Sequence, residues 1–134
     1  MAGRVALSTG LLCALLSFSC AQLLGGWETA NKNSKMVKEI AAFSVSQYNL
    51  QSNERFLSKI ISVLDAKQQV VAGMNYELTI LLGNTACKKG KNYMNKPCPL
   101  LTGSKLKKVK CIFTVYDIPW ENERTLEGKQ CAPI

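Results

Sequence analysis

Apolar residues between positions 31 and 50 recur every three to four residues, with Ile40 near the middle of the pattern. This is the spacing of a helix that has one buried face and one face in water. Asn33 or Ser34 could cap its start, and Asn31 is as suitable a residue. The sequence therefore predicts one amphipathic helix early in the domain.

After a polar loop, the apolar spacing shortens to that of β-strands. Residues 56–64 are rich in Phe, Leu, Ile and Val, and residues 76–82 alternate between apolar and polar side chains. A third strand is predicted over 106–118 and a fourth over 124–131, whereas 83–104 is interpreted as a loop because of its glycines and prolines. We therefore predict an α+β fold in which one helix lies across an antiparallel sheet of hairpins.

The connection between the first two strands is apolar, although a hairpin tip in water should be polar. Gln69–Gly73 reads Gln-Val-Val-Ala-Gly, and only Gly73 has the backbone freedom that a turn needs. Such a tip is either packed into the domain or exposed for a partner. Val70 and Val71 are β-branched and would be strained in a tight turn, and strained hinges favour domain swapping. We expect a monomer, with a domain-swapped dimer as the alternative assembly.

The first 21 residues have the composition of a secretory signal peptide. Arg4 precedes a short apolar run, and Ser19, Cys20 and Ala21 place small residues where signal peptidase cuts. The run is too short to span a membrane comfortably, and nothing later resembles a span. We predict that residues 1–21 are removed and that residues 22–134 form a single secreted, extracellular domain.

Four cysteines follow the signal: Cys87, Cys98, Cys111 and Cys131. An even number in a small secreted domain indicates two disulfide bonds, for which three pairings exist. The sequential pairing, Cys87–Cys98 and Cys111–Cys131, is preferred because it closes two short loops that do not cross. A zinc site is the alternative, but the spacings differ from those of zinc-binding cysteines, so neither a metal nor another cofactor is expected.

The formal net charge is +8, and much of it is concentrated in two lysine clusters. The clusters are Lys88, Lys89, Lys91 and Lys96 around the first disulfide, and Lys105, Lys107, Lys108 and Lys110 before Cys111. Such clusters attract polyanions weakly, although a solvated, soluble surface is the more ordinary interpretation. Nucleic acid is not an expected partner, because no aromatic residues are spaced to stack on bases.

The chain contains no histidine, which excludes Ser-His and Cys-His nucleophilic pairs and every histidine-based metal site. The remaining cysteines are explained as disulfides. The carboxylate pairs Glu121 with Glu123 and Asp65 with Glu77 are better explained as surface acids than as a catalytic pair. We therefore predict that the protein is not an enzyme.

Three apolar segments lie where water would be expected: Leu23–Gly26, Gln69–Gly73 and Pro119–Trp120. Alternate turns of an antiparallel sheet lie at the same end, so the second and third segments should be neighbours. With Gly25, the Gln-x-Val-x-Gly string, the Pro-Trp pair and the four cysteines in this order, the chain from Gly25 to Cys131 resembles the cystatins, specifically the secreted two-disulfide group.

The resemblance implies a tight-binding, reversible inhibitor of papain-like cysteine peptidases such as cathepsins. It implies about five antiparallel strands, twisted around one long helix, and it supports the sequential disulfides. Leu23 and Leu24 would occupy the non-primed subsites, with Leu24 in the apolar S2 pocket, and Gly25 would let the chain pass the catalytic thiol. Gln69, Val70, Val71, Ala72 and Gly73 would fill the centre of the cleft, and Pro119 with Trp120 would pack on the primed side.

Two further expectations remain, the first from the same resemblance and the second from the lysine clusters. In some secreted cystatins the loop after the helix binds legumain, and Asn53 would be the residue presented to it. Here Glu54 follows, where inhibitory members have Asp or Asn, and a loop asparagine is most often a turn residue. The alternative function is a cationic binding or host-defence module that keeps the cystatin scaffold without inhibiting peptidases.

Overall fold

The computed structural model describes residues 26–90 and 97–134. Its elements are β1 (Glu28–Thr29), α1 (Lys35–Gln51), β2 (Phe56–Val71), β3 (Gly73–Lys88), β4 (Lys108–Ile118) and β5 (Glu123–Pro133). The five strands form one antiparallel sheet in the order β1-β2-β3-β4-β5, so strands that follow along the chain are also neighbours in the sheet. The predicted α+β class is confirmed. The predicted signal peptide, residues 1–21, lies outside the described residues.

Helix α1 begins after Ser34, which caps it. The Ser34 hydroxyl accepts a hydrogen bond of 3.2 Å from the Val37 N–H, so Ser34 is the cap among the three candidates. Asn31 accepts a bond of 2.9 Å from the Asn33 N–H and organises the turn before the cap. The buried face of the helix consists of Val37, Ile40, Ala41, Ser44 and Val45.

The core lies between that face of α1 and one face of the sheet. Leu78 of β3 is the register partner of Phe113 of β4, and both side chains are fully buried. The Tyr48 ring of α1 meets the Phe113 ring edge-on, with 6.4 Å between ring centroids. Burying an apolar side chain of this size contributes about 1.5–3 kcal/mol, so this layer holds the helix on the sheet.

Strand β3 is longer than the sequence predicted, because residues 83–88 belong to it and not to a loop. Gly83 was interpreted as a breaker, but it is a position of close packing. A Cβ at Gly83 would lie 2.8–3.0 Å from methyl carbons of Leu100, Ile61 and Leu106. The glycine therefore lets the returning chain pack directly on the sheet, and the Leu101 N–H donates a bond of 3.0 Å to the Asn84 carbonyl.

The two disulfides have the sequential pairing preferred from the sequence, Cys87–Cys98 and Cys111–Cys131. The first joins β3 to the chain that packs beside it, and the second joins register partners of β4 and β5. Loops of this length stabilise the fold by about 3 kcal/mol each on the chain-entropy account. No helix within residues 26–90 and 97–134 is both long enough and apolar enough to cross a membrane.

The prediction that Val70 and Val71 lie in a tight turn is wrong. Both valines are residues of β2, with Val70 opposite Met74 and Val71 opposite Gly73. The positive φ at this turn, +112°, falls on Gly73, which adopts it without a side-chain clash. The physical reason for expecting a domain-swapped dimer therefore disappears at this position.

Candidate functional site

The β2–β3 turn consists of Ala72 alone, between the paired residues Val71 and Gly73. Val70 is 55% exposed, and Ala72 is also exposed. At the base of the turn, Asn75 donates a side-chain hydrogen bond of 3.2 Å to the Gln69 amide oxygen. The apolar tip therefore projects into solvent from an ordered base.

The β4–β5 turn is a 3₁₀ turn over Pro119–Glu121. Asn122 closes it in the left-handed conformation, at φ +53°, and its N–H donates a bond of 3.2 Å to the Pro119 carbonyl. Asparagine is one of the few side chains that adopt this conformation readily. Trp120 is 70% exposed, so its ring is presented to solvent and takes no part in the core.

The two turns lie side by side, since β3 and β4 pair with Met74 opposite Asp117. The Tyr116 hydroxyl of β4 donates a hydrogen bond to the Ala72 carbonyl of the first turn. A Cβ at Gly73 would lie 2.7 Å from the Asp117 carbonyl oxygen and 3.0 Å from the Tyr116 ring. The first turn therefore rests directly on the strand that leads into the second. We call the end of the sheet formed by Val70–Gly73 and Pro119–Glu121 the turn end.

The segment that enters β1 approaches the same end. Glu28 pairs with Gln68 in antiparallel register, and the Gln68 side chain donates a bond of 3.0 Å to the Glu28 carboxylate. Because β1 and β2 are antiparallel, the chain before Glu28 runs toward the first turn. Trp27 is 45% exposed on that path. The predicted site residues Leu23, Leu24 and Gly25 come before it and lie outside the described residues.

A partly buried ion pair supports the second turn, and no pattern used above predicted it. The Arg124 Nε lies 3.0 Å from a carboxylate oxygen of buried Asp117, and another Arg124 nitrogen lies 4.0 Å from Glu39 of the helix. The guanidinium also lies 5.9 Å from the centroid of the Phe43 ring. Burial, and secondarily the Asp117 charge, raise the pKa of Tyr76. The contacts of Arg124 with Asp117, Glu39 and Phe43 therefore connect β4 and β5 to α1.

Asn53, the residue considered for legumain, is exposed at the other end of the molecule. It lies between α1 and β2, where the Ser52 hydroxyl accepts a bond of 3.0 Å from the Glu54 N–H. Lys89 also donates a bond of 2.7 Å to the Ser52 carbonyl, which fixes this loop to the end of β3. Strand β2 separates Asn53 from the turn end by about 50 Å along the chain.

Across residues 26–90 and 97–134, no group of three or more Cys, Asp or Glu side chains is placed to hold a metal ion. The turn end presents a row of exposed apolar side chains on two adjacent hairpins. Such an arrangement is suited to filling a groove in another molecule, since concave sites accept exposed aromatic and aliphatic side chains as anchors.

Comparison with known proteins agrees with this geometry. The Cystatin domain model matches residues 25–120. Cystatin-2 of Crotalus adamanteus is 35% identical over 130 residues, which cover 91% of this chain and 95% of the relative. Cystatin-C of Bos taurus is 40% identical over 111 residues, covering 82% and 74% respectively. The chain therefore belongs to the cystatin family, whose members are generally inhibitors of cysteine peptidases and not enzymes.

Solved structures give the same result for the fold. Dimeric human cystatin F superposes with a TM-score of 0.76 at 27% identity, covering 82% of this chain and 88% of the other. The structure of Al-CPI superposes with a TM-score of 0.73 at 30% identity, covering 82% and 100%. The family resemblance stated from the sequence is confirmed.

Proposed function

We propose that this protein is a tight-binding, reversible inhibitor of papain-like cysteine peptidases of the cathepsin type. The observation that carries the proposal is the adjacency of two apolar turns, with Val70 and Trp120 both more than half exposed. In the proposed complex, Gln69–Gly73 fills the centre of the cleft and Pro119–Trp120 packs on the primed side. The amino-terminal residues Leu23–Gly25 occupy the non-primed subsites.

The proposed mechanism is occlusion, so it requires no acid, base, nucleophile or metal from the inhibitor. Its affinity depends on rigidity, because ordering a flexible segment on binding costs free energy. The hydrogen bonds from Tyr116 to Ala72 and from Asn75 to Gln69 hold the first turn before any partner arrives. A prebuilt turn loses little conformational entropy on docking, which favours a slow dissociation rate.

A titration of papain tests the proposal. Increasing amounts of the protein are added to a known concentration of active papain at physiological salt, and residual peptidase activity is measured. We expect stoichiometric inhibition. We also expect a second tight inhibitor to release this protein from papain in intact form, which shows that its binding is reversible. Absence of inhibition, together with salt-sensitive binding to polyanions, would favour the non-inhibitory cationic module instead.

Removing residues 22–25 should weaken inhibition most for peptidases with a large apolar S2 pocket, because Leu24 is the proposed S2 residue. The inhibition constants of the shortened and complete proteins are compared on one peptidase with a large S2 pocket and one with a small pocket. Gly25→Arg should act in the same direction, since a side chain there obstructs passage over the thiol. Equal constants for shortened and complete protein on the large-pocket peptidase would contradict the role of Leu24.

The proposed form is a secreted monomer that begins at Gln22, after removal of residues 1–21. The proposal rests on the signal-like amino terminus and on the two disulfides, which are stable in oxidising compartments. Mass spectrometry of the exported protein should give a chain that starts at Gln22. A start after Leu24 would remove a proposed anchor and would contradict this assignment.

We also propose a second activity, inhibition of legumain through Asn53, which the exposure of that side chain in a hydrogen-bonded loop supports. Asn53→Ala should abolish any inhibition of legumain while leaving papain inhibition unchanged, because the two surfaces lie at opposite ends of β2. Both peptidases are assayed with the same two protein preparations. Failure of the unaltered protein to inhibit legumain would contradict this second activity and leave the first unaffected.

A further inference from the structure

The end of the sheet opposite the turn end is strongly cationic, and the inhibitory mechanism does not use it. In the described segments 52–60, 81–90 and 97–111, Glu54 is the only acidic residue. The same segments contain Arg55, Lys59, Lys88, Lys89, Lys105, Lys107, Lys108 and Lys110. We call these segments the basic end.

Three of these lysines share one face of the sheet. Lys59 of β2 and Lys108 of β4 are both register partners of Gly83 in the strand between them. Register partners present their side chains on the same face, and Lys110 follows Lys108 on that face two residues later. All three are exposed. Neighbouring strands are about 4.8 Å apart, so the Lys59 and Lys108 backbones lie about 10 Å from each other. We call Lys59, Lys108 and Lys110 the lysine row.

The chain beside the lysine row is held in place by Asn84. Its side-chain amide donates a bond of 3.1 Å to the Lys105 carbonyl, and its oxygen accepts a bond of 2.8 Å from the Lys107 N–H. Lys105 and Lys107 are both exposed. The backbone that carries these two charges is therefore fixed, and less conformational entropy is lost when an anion binds.

The positive charge at this end is not neutralised by the described protein. Among residues 26–90 and 97–134, both ion pairs within 4.0 Å involve Arg124, and neither involves the basic end. The lysines that do make side-chain bonds donate to neutral carbonyls: Lys59 to Cys98 at 3.4 Å, and Lys89 to Ser52 at 2.7 Å. A neutral acceptor orients an ammonium group without cancelling its charge, so the field of the basic end extends into solvent.

We propose that the basic end binds a sulfated polysaccharide through the lysine row, with Lys105 and Lys107 as flanking contacts. A linear chain of sulfates provides repeated anions that ammonium groups can contact as point charges. The register partners of the row are Gly83, Leu81 and Ala132, none of which is aromatic, so the row offers no surface for stacking nucleic-acid bases. Anionic lipid is concentrated on the cytoplasmic leaflet, which a secreted protein does not meet. The exclusion of anionic lipid as the ligand therefore rests on the proposed secretion.

The polysaccharide site and the peptidase site are separate. Lys59 and Val71 are the two ends of a stretch of β2 that spans about 40 Å along the strand. A polysaccharide bound at the lysine row therefore leaves the turn end free. The protein would be retained on an anionic matrix while remaining able to inhibit a peptidase.

The test compares binding of two charge-matched variants to heparin, used as the probe sulfated polysaccharide. Lys59→Gln, Lys108→Gln and Lys110→Gln are combined in one variant of the full protein. The control combines Lys32→Gln, Lys35→Gln and Lys38→Gln, which remove the same charge from exposed positions near the start of α1. Each lysine near an anionic surface contributes about a fivefold gain in affinity, so the lysine-row variant should bind about 100-fold more weakly at low salt. The control should bind within about fivefold of the unaltered protein.

Each outcome decides the proposal. Selective loss in the lysine-row variant, with affinity falling as salt is raised, supports it. Equal loss in both variants would show that net charge alone attracts heparin, and no binding at physiological salt would overturn the proposal. Stronger binding to phosphatidylserine vesicles or to single-stranded DNA than to heparin would overturn the choice of ligand. The heparin assay contains no peptidase, so a failure to bind heparin is distinct from a failure to inhibit. A separate papain titration of the heparin-bound protein tests whether the two sites are separate.

Discussion

Trp120→Ala is expected to weaken inhibition of papain by at least about 2 kcal/mol, or about 30-fold in the inhibition constant. The ring is 70% exposed in the free protein, on a 3₁₀ turn closed by Asn122, so burial in a partner would remove a large apolar surface from water. Because the side chain contributes nothing to the core, the free energy of unfolding should change little. Inhibition constants and chemical denaturation are measured on the same preparations.

Leu50→Ala is the matched control for this change. Leu50 is 79% exposed near the end of α1 and is remote from the turn end. Its removal should leave papain inhibition unchanged, as expected for an exposed apolar side chain outside the interface. If Trp120→Ala and Leu50→Ala had equally small effects, the second turn would have no part in binding.

Gly73→Ala should reduce both stability and inhibition. Gly73 has a φ of +112°, and an added Cβ would lie 2.7 Å from the Asp117 carbonyl oxygen, so the first turn must move away from β4. Strain of this kind destabilises the fold by about 1–3 kcal/mol. Displacement of the turn should also weaken papain inhibition by at least about 30-fold, because the centre of the proposed wedge is no longer held beside Trp120.

Gly90→Ala separates backbone strain from displacement of the turn. Gly90 also has a positive φ, +80°, but a Cβ there would meet no atom within 4 Å. This variant should lose some stability from the backbone alone and keep full inhibition. Equal losses of inhibition in the two variants would mean that general destabilisation, and not the position of the first turn, governs binding.

The sequence predicted the elements whose patterns are local. The helical spacing around Ile40 located α1, and the strand predicted over 106–118 contains β4 (Lys108–Ile118). The four cysteines were sufficient to favour the observed disulfides, because short loops that do not cross are the simplest pairing. The apolar string Gln69–Gly73 is unusual for a hairpin tip in water, and from the sequence it was either packed into the domain or exposed for a partner. The exposure of Val70 and Ala72 agrees with the second alternative.

The contacts that the sequence did not predict are made by residues that are far apart along the chain. Gly83 looked like a strand breaker, because nothing local shows that Leu100 and Leu106 return to pack on it. The support of the first turn by Tyr116 requires the exact register of β3 and β4. One signal was overlooked: Asp117 continues the buried alternation of β4, and a buried acid requires a cation, which Arg124 provides.

Hydroxyl-radical footprinting of the complex with papain tests most directly whether the turn end enters the peptidase cleft. The oxidation rates of Trp120 and Leu50, two exposed side chains at different ends of the molecule, are measured by mass spectrometry in the free and bound protein. We expect strong protection of Trp120, together with Val70, and an unchanged rate at Leu50. Protection of Leu50 with continued oxidation of Trp120 would contradict it.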